Sequence, residues 1–284
     1  MSKVKIMVDS ISTIPWDYAR EVGIELVPYY VNFKGETIKE SPDFDLNIFY
    51  KKLRKSKEWP TTSHPTSQDI EEKFSRLAKE TNEIIYLTLP PKLTGTYDIA
   101  YQIRKKFKEI RIELCNIGSA LGKLGLIALE ANRMAQENKS IDEIIEQIFN
   151  LSRRSEMFVV LDTLKYLAKI GRIGKAAALL GTTLSVKPII TLREEQVMPA
   201  GKVLTHSQAL NWILNRIRSD LKKFNAKKIK CFVEDVDNKK MSNLLKEELE
   251  ENFQCEEIFQ VEMSPLIAVA AGPGTWGISY LVVD

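Results

Sequence analysis

The sequence predicts an α/β protein of two domains: an N-terminal parallel-sheet domain with a small β-hairpin insertion, then a C-terminal mixed-sheet domain. Three observations carry this. Short β-branched runs alternate with helix-spaced segments through the first half, the order expected of a parallel sheet covered by helices. In the second half, strand-like runs follow one another without an intervening helix, and such neighbours are usually antiparallel. The chain has 284 residues, beyond the roughly 100 to 200 usual for one domain.

The runs "VKIMV" at 4 to 8, "IIYLTL" at 84 to 89 and "IRIELC" at 110 to 115 read as buried strands. Segment 24 to 40, "IELVPYYVNFKGETIKE", is β-rich and broken by the turn signal Lys34-Gly35, so it reads as the inserted hairpin. From Thr66, "TSQDIEEKFSRLAKE" opens on a capping hydroxyl and sets Ile70, Phe74 and Leu77 on one helical face. Two helices are expected over 118 to 154, the second with a capping box from Ser140 to Glu143. A domain boundary near 151 then separates 1–150 from 151–284. Beyond it, "LSVKPIITL", "VMPAGKVLT", "KIKCFVED" and the terminal "GTWGISYLVVD" read as strands, and 207 to 224 and 238 to 252 as helices.

Composition narrows the class. Apolar residues make up 44% and charged residues 28%, ordinary for a folded soluble protein. Lys and Arg number 41 against 38 Asp and Glu, so the net charge of +3 provides no broad field for nucleic acid. The basic runs at 51 to 55 and 104 to 106 read as solvated helix faces. Three scattered cysteines, Cys115, Cys231 and Cys255, lack metal-ligand spacing and fit a reducing cytoplasm. Two histidines give no basis for a histidine metal site, and no run has the length of a membrane span or of a signal-peptide core.

Four polar clusters fall in loops beside these strands: "VDSIST" at 8 to 13, "TTSHPTS" at 61 to 67, "LTGTY" at 93 to 97 and "AAGPGTWG" at 270 to 277. In parallel α/β folds ligands bind beyond the carboxyl ends of strands, where helix N-termini offer free N–H groups. Each cluster also has a plain structural reading. Asp9-Ser10 suits a cap or turn, Thr62, Ser63 and Thr66 suit helix capping, and Thr94-Gly95-Thr96 suits a tight turn as well as close approach to a ligand. In "KIGRIGK", Arg172 stands between Gly171 and Gly174 and suits either a carboxylate or a backbone carbonyl. No phosphate loop, dinucleotide fingerprint or serine elbow is present. A site of Asp9, Ser10 and Thr94 acting on an acyl or phosphorylated metabolite is the enzymatic alternative.

Taken in order, "DS" at 9 to 10, "TSHPTS" at 62 to 67, "LTGTY", "DTLKYLAKIGRI" at 162 to 173, "LSVKPII" at 184 to 190 and "GPGTWGISY" at 272 to 280 resemble the DegV family. That family includes the fatty-acid-binding subunits of bacterial fatty acid kinase. The resemblance implies a cytoplasmic, non-enzymatic lipid-binding protein of phospholipid metabolism, without cofactor or metal. One long-chain fatty acid, such as palmitate, stearate or oleate, would lie in a cleft or tunnel between the domains. It further implies that Thr62 and Thr94 hydrogen-bond the carboxylate with Gly95 beside them. Ser63, Arg172, Ala271 and Gly272 would be further head-group or partner contacts, and a separate ATP-dependent fatty acid kinase the partner. Nucleic acid and stable membrane insertion are not expected. The chain departs from the family pattern at Ala270, where histidine is usual, at Ile11, where Thr or Ser is usual, and at Ile170, where many members have glycine.

Overall fold

A computed structural model describes residues 4–56, 58–179 and 186–284; Leu184 and Ser185 of the "LSVKPII" motif lie outside the described residues. The N-terminal half is built on a four-stranded parallel sheet in the order β2-β1-β6-β7, formed by β1 (Val4–Asp9), β2 (Glu25–Val27), β6 (Glu83–Leu87) and β7 (Arg111–Cys115). The central strand β1 is apolar on both faces because both are covered. Val4, Ile6 and Val8 pack toward α1 (Trp16–Val22) and α5 (Leu121–Gln136). Met7, on the opposite face, joins Ile70 and Phe74 of α3 (Ser67–Leu77) and Ala100 and Ile103 of α4 (Thr96–Arg104). The expected capping box forms with Ser140 and Glu143 opening α6 (Ile141–Arg153), and the expected capping hydroxyl of Thr66 forms a second box with Asp69 at the start of α3.

The insertion differs in extent from the expected 24 to 40. Residues 25–27 belong to the parallel sheet, paired with Met7–Asp9, and the hairpin proper is β3 (Tyr30–Phe33) with β4 (Glu36–Lys39). Pro28 divides the two, since it cannot donate to a ladder. Lys34 and Gly35 both have positive φ, 53° and 78°, as a two-residue hairpin turn requires. A third strand, β5 (Thr61–Ser63), pairs antiparallel with β3, so this small sheet reads β4-β3-β5 and carries the threonine cluster on its edge. The helix α2 (Leu46–Lys55) lies between β4 and β5 in the chain.

The strands after residue 154 form one mixed sheet in the order β10-β9-β8-β13-β11-β12. Its members are β8 (Ser155–Val160), β9 (Lys187–Arg193), β10 (Gln196–Val203), β11 (Lys228–Asp235), β12 (Gln254–Glu262) and β13 (Trp276–Val283). Among the described residues only β11 and β12 run parallel in this sheet, joined by α9 (Lys239–Asn252), and α8 (His206–Phe224) packs on the same apolar layer. Two short helices, α7 (Lys165–Lys169) and α10 (Pro265–Ala271), lie near the N-terminal half. The sequence reading had no strand at β12, whose acidic, half-exposed edge hides the alternation of a buried strand.

One helix joins the two sheets. α5 packs against β1 on one side and against β8, β11 and β13 on the other. Two glycines permit this. A Cβ at Gly122 would stand 2.4 Å from the Phe232 Cβ, and one at Gly125 would stand 2.4 Å from the Ser12 carbonyl oxygen. Beside Gly122 the carboxylate of Glu234, fully buried, accepts from Thr13 Oγ1 at 2.8 Å, the Gly122 amide at 2.9 Å and Ser279 Oγ at 2.7 Å. Three donors from three parts of the chain meet on one side chain, and burial pushes its pKa from 4.5 up to about 7.

Two predictions follow from this seam. Gly125→Ala raises helix propensity by up to about 1 kcal/mol, yet the clash with the Ser12 carbonyl should dominate and destabilise the protein by about 1 to 3 kcal/mol in urea unfolding. For Glu234 the folded pKa lies above the unfolded one. Its contribution is therefore complete below about pH 4.5 and is lost as pH rises through 7, by about 3 kcal/mol. The melting temperature should fall between pH 5.5 and 8.5, and Glu234→Gln should flatten that fall.

Candidate functional site

A cavity of about 680 Å3 is lined by residues from both halves of the chain. Its wall is largely aliphatic, from Ile11, Leu89, Leu121, Met157, Val159, Leu167, Ile190, Leu192 and Leu266. The polar lining is concentrated in two segments, Thr61 to His64 of and after β5, and Thr94-Gly95 at the mouth of α4. The His64 ring brings them together, because a Cβ at Gly95 would lie 3.7 Å from its Cδ2. His64 donates through Nδ1 to the Pro65 carbonyl at 3.0 Å, leaving Nε2 on the Gly95 side. Arg172 closes the same region, donating from Nε to the Leu93 carbonyl at 2.8 Å.

The site sits at the carboxyl ends of β1 and β6, where a parallel sheet leaves room between strand and helix. Thr62, Ser63, Thr94, Gly95, Arg172 and Ala271 all line the cavity, as does Ala270. Among the described residues the Thr62 hydroxyl makes no hydrogen bond, whereas Ser63 Oγ accepts from Asn32 Nδ2 at 2.8 Å. Gly272 is placed elsewhere: it caps α10 at φ 83°, and a Cβ there would meet the Tyr166 ring at 2.3 Å. Its role in the fold is close packing against Tyr166, which in turn lies 4.7 Å from the ring of Trp59 on the cavity wall.

Asp9 and Ser10 do not line this cavity. Ser10 donates to Glu40 within the body of the protein. Asp9, fully buried, accepts from Tyr86 Oη at 2.5 Å, the Leu89 amide at 2.7 Å and Tyr29 Oη at 3.0 Å. Burial outweighs these donors and pushes its pKa from 3.8 up to about 6. The Tyr29 hydroxyl also meets Thr96 Oγ1 at 2.8 Å, and Thr96 meets Thr94 Oγ1 at 3.0 Å. A continuous chain of hydroxyls therefore runs from Asp9 to the cavity. The sequence reading passed over Tyr29, Thr96 and His64. The last two stood inside motifs already singled out, while Tyr29 in "VPYY" carried no signal beyond a tyrosine in an apolar run.

Among the described residues no cluster of three or more His, Cys, Asp or Glu is placed to hold a metal ion, and no helix is long and apolar enough to cross a membrane. Fold and site together define a two-lobed α/β protein with an apolar cavity whose polar lining is threonine-rich. The model of the DegV family matches residues 3–283, and the chain belongs to that family. A DegV domain-containing protein of Clostridium perfringens is 35% identical over 283 residues, 98% of each chain. Among solved structures, a fatty-acid-binding DegV family protein from Thermus thermophilus superposes with a TM-score of 0.93 at 27% identity, covering 99% of this chain and 100% of its own. A DegV lipid-binding protein from Thermotoga maritima superposes at 0.89 with 24% identity, covering 99% of each, and adds support for the fold.

Gly95 and Gly272 separate by experiment. Gly95 has an ordinary φ of −79°, and a Cβ there would make only ordinary van der Waals contact with the His64 ring, so Gly95→Ala should shift stability by no more than about 0.5 kcal/mol. Gly272→Ala combines a glycine-only backbone conformation with the Tyr166 clash and should cost about 1 to 3 kcal/mol. Thermal melts of the two variants check both.

Proposed function

We propose that the cavity binds one long-chain fatty acid, with its carboxylate at Thr62 and Thr94 and its chain along the aliphatic wall. The observation that carries this reading is the division of one cavity of about 680 Å3 into a largely aliphatic wall and a patch of hydroxyls. That volume lies within the range of roughly 300 to 1,000 Å3 usual for small-molecule sites. A buried carboxylate needs several donors, since an unpaired charge in an apolar site costs several kcal/mol. Thr62, Thr94, His64 and Arg172 all line this cavity and carry groups able to donate, which supports the reading. The tail supplies affinity at about 0.8 kcal/mol per buried methylene, on the order of 10 kcal/mol for sixteen carbons before ordering costs. The Thermus thermophilus relative, described as fatty-acid-binding, supports the same ligand class.

In this reading the ligand lies between an N-terminal unit of residues 1–150 and a C-terminal unit of 151–284. The protein acts in the cytoplasm as a carrier that presents the carboxylate to a separate kinase, with exposed Arg172 and Lys169 at the site. Ala270 leaves the α10 side of the cavity without a polar side chain, so the β5 and α4 side must hold the head group. An enzyme built on Asp9 and Ser10 is not favoured, because both are buried away from the cavity.

Mass spectrometry of an organic extract from purified protein should find stoichiometric acyl chains of about sixteen to eighteen carbons. Thr62→Val and Thr94→Val should each weaken palmitate or oleate binding by about tenfold or more, the worth of a hydrogen bond to a charged group. Absence of bound lipid, together with no rise in melting temperature on adding either acid, would overturn the proposal.

A further inference from the structure

Four oxygens in line, from Asp9 through the Tyr29 and Thr96 hydroxyls to Thr94 at the cavity wall, form three consecutive hydrogen bonds of 3.0, 2.8 and 3.0 Å. Each hydroxyl has one hydrogen to give. With Asp9 ionised, the Tyr29 hydrogen points at Asp9, the Thr96 hydrogen at Tyr29 and the Thr94 hydrogen at Thr96. All three hydrogens are consumed inside the chain, and Thr94 presents only lone pairs to the cavity. A fatty-acid carboxylate, itself all acceptor, cannot then be bonded by Thr94 without breaking one of the three bonds. With one proton on Asp9 there are four hydrogens for the same three bonds. The chain reverses direction and the Thr94 hydrogen is left to face the cavity.

We propose that this chain couples fatty-acid binding to the uptake of one proton by Asp9, so that Thr94 becomes a carboxylate donor only when Asp9 is protonated. The inference rests on the fatty-acid reading of the cavity. The proton transfers balance. A neutral acid that reaches Thr94 loses its O–H proton to the Thr94 oxygen. Thr94 passes its own hydrogen to Thr96, Thr96 to Tyr29 and Tyr29 to Asp9, which leaves a carboxylate beside a donating Thr94. Both states keep the remaining donors to Asp9 satisfied: Tyr86 bonds Oδ1, and the Leu89 amide bonds Oδ2, which can donate to Tyr29 while accepting.

The groups acting on Asp9 favour a proton there at modest cost. Besides Tyr29, Tyr86 and the Leu89 amide, its neighbour is the carboxylate of Glu40 at the end of β4, whose charge opposes a second ionised group. Burial and Glu40 together place Asp9 at about 6, within reach of a ligand-driven shift near neutral pH. Tyr29 is itself pushed well above its ordinary range by burial and by Asp9, so it serves as a relay and keeps its proton.

Titration calorimetry of palmitate in buffers of differing ionisation enthalpy, at pH 7.5, reads the proton count directly. The wild-type protein should take up about one proton per acid bound, and affinity should fall about tenfold per pH unit above 6. Tyr29→Phe cuts the chain while leaving Thr94 a free hydrogen, because both Thr96 and Thr94 reach Asp9 through the Tyr29 hydroxyl. It should bind palmitate with uptake near zero and a flat pH profile, whereas Thr96→Ser should keep the coupling of the wild type. If palmitate binds the wild type without proton uptake, or if Tyr29→Phe retains that uptake, the proposal is overturned. Failure of palmitate to bind at all would instead refute the ligand assignment.

Discussion

Everything that makes the cavity possible depends on how closely α5 approaches the two sheets it separates. Gly122 and Gly125 lie on faces where even a methyl group would collide, with Phe232 and Ser279 on one side and with the Ser12 carbonyl and Ile14 on the other. The helix is therefore a thin wall, and its first residues, Ala120 and Leu121, are at once part of the seam and part of the cavity lining. Glu234 locks this arrangement by gathering Thr13, Gly122 and Ser279 on one buried carboxylate. Such a group is a weak source of net stability, but losing one of its partners is costly, so it favours a single docking of the lobes.

The same economy of buried carboxylates recurs beneath the cavity. Asp9 ends β1, the central strand, and receives donors from β6 and from the segment ahead of β3. It thereby ties the hairpin insertion to the parallel sheet, and the edge strand β5 with its threonines is held in turn by β3. Position, not type, gives these hydroxyls their chemistry. Thr62 on an isolated edge strand would be an ordinary surface threonine; here it lines the same cavity as Thr94 and His64.

Much of the scaffold was legible in the residues. Strands β1, β6 and β7 announced themselves as apolar runs of β-branched residues, and the capping hydroxyl of Thr66 and the capping box at Ser140 marked helix starts to within a residue. The misreadings have physical causes. The hairpin was begun too early because Glu25 to Val27 has the same alternation as the hairpin strands, and only the parallel pairing with Met7 to Asp9 distinguishes them. β12 escaped notice because an edge strand rich in glutamate lacks the apolar period. At Gly272, grouped with the head-group contacts from its motif, the structure adds a packing reason for the glycine: a Cβ there would collide with Tyr166.

Residue order alone determined the α/β class, the two lobes' different sheet types and the polar clusters at strand ends, because periodicity and capping are local properties carried by a few neighbouring side chains. Tertiary structure alone decided that β5 and α4 deliver their hydroxyls to one wall, that Asp9 lies behind that wall and that Tyr29 and Thr96 connect the two. Those facts depend on distances between residues 20 to 67 positions apart in the chain, which close packing sets and no local pattern records.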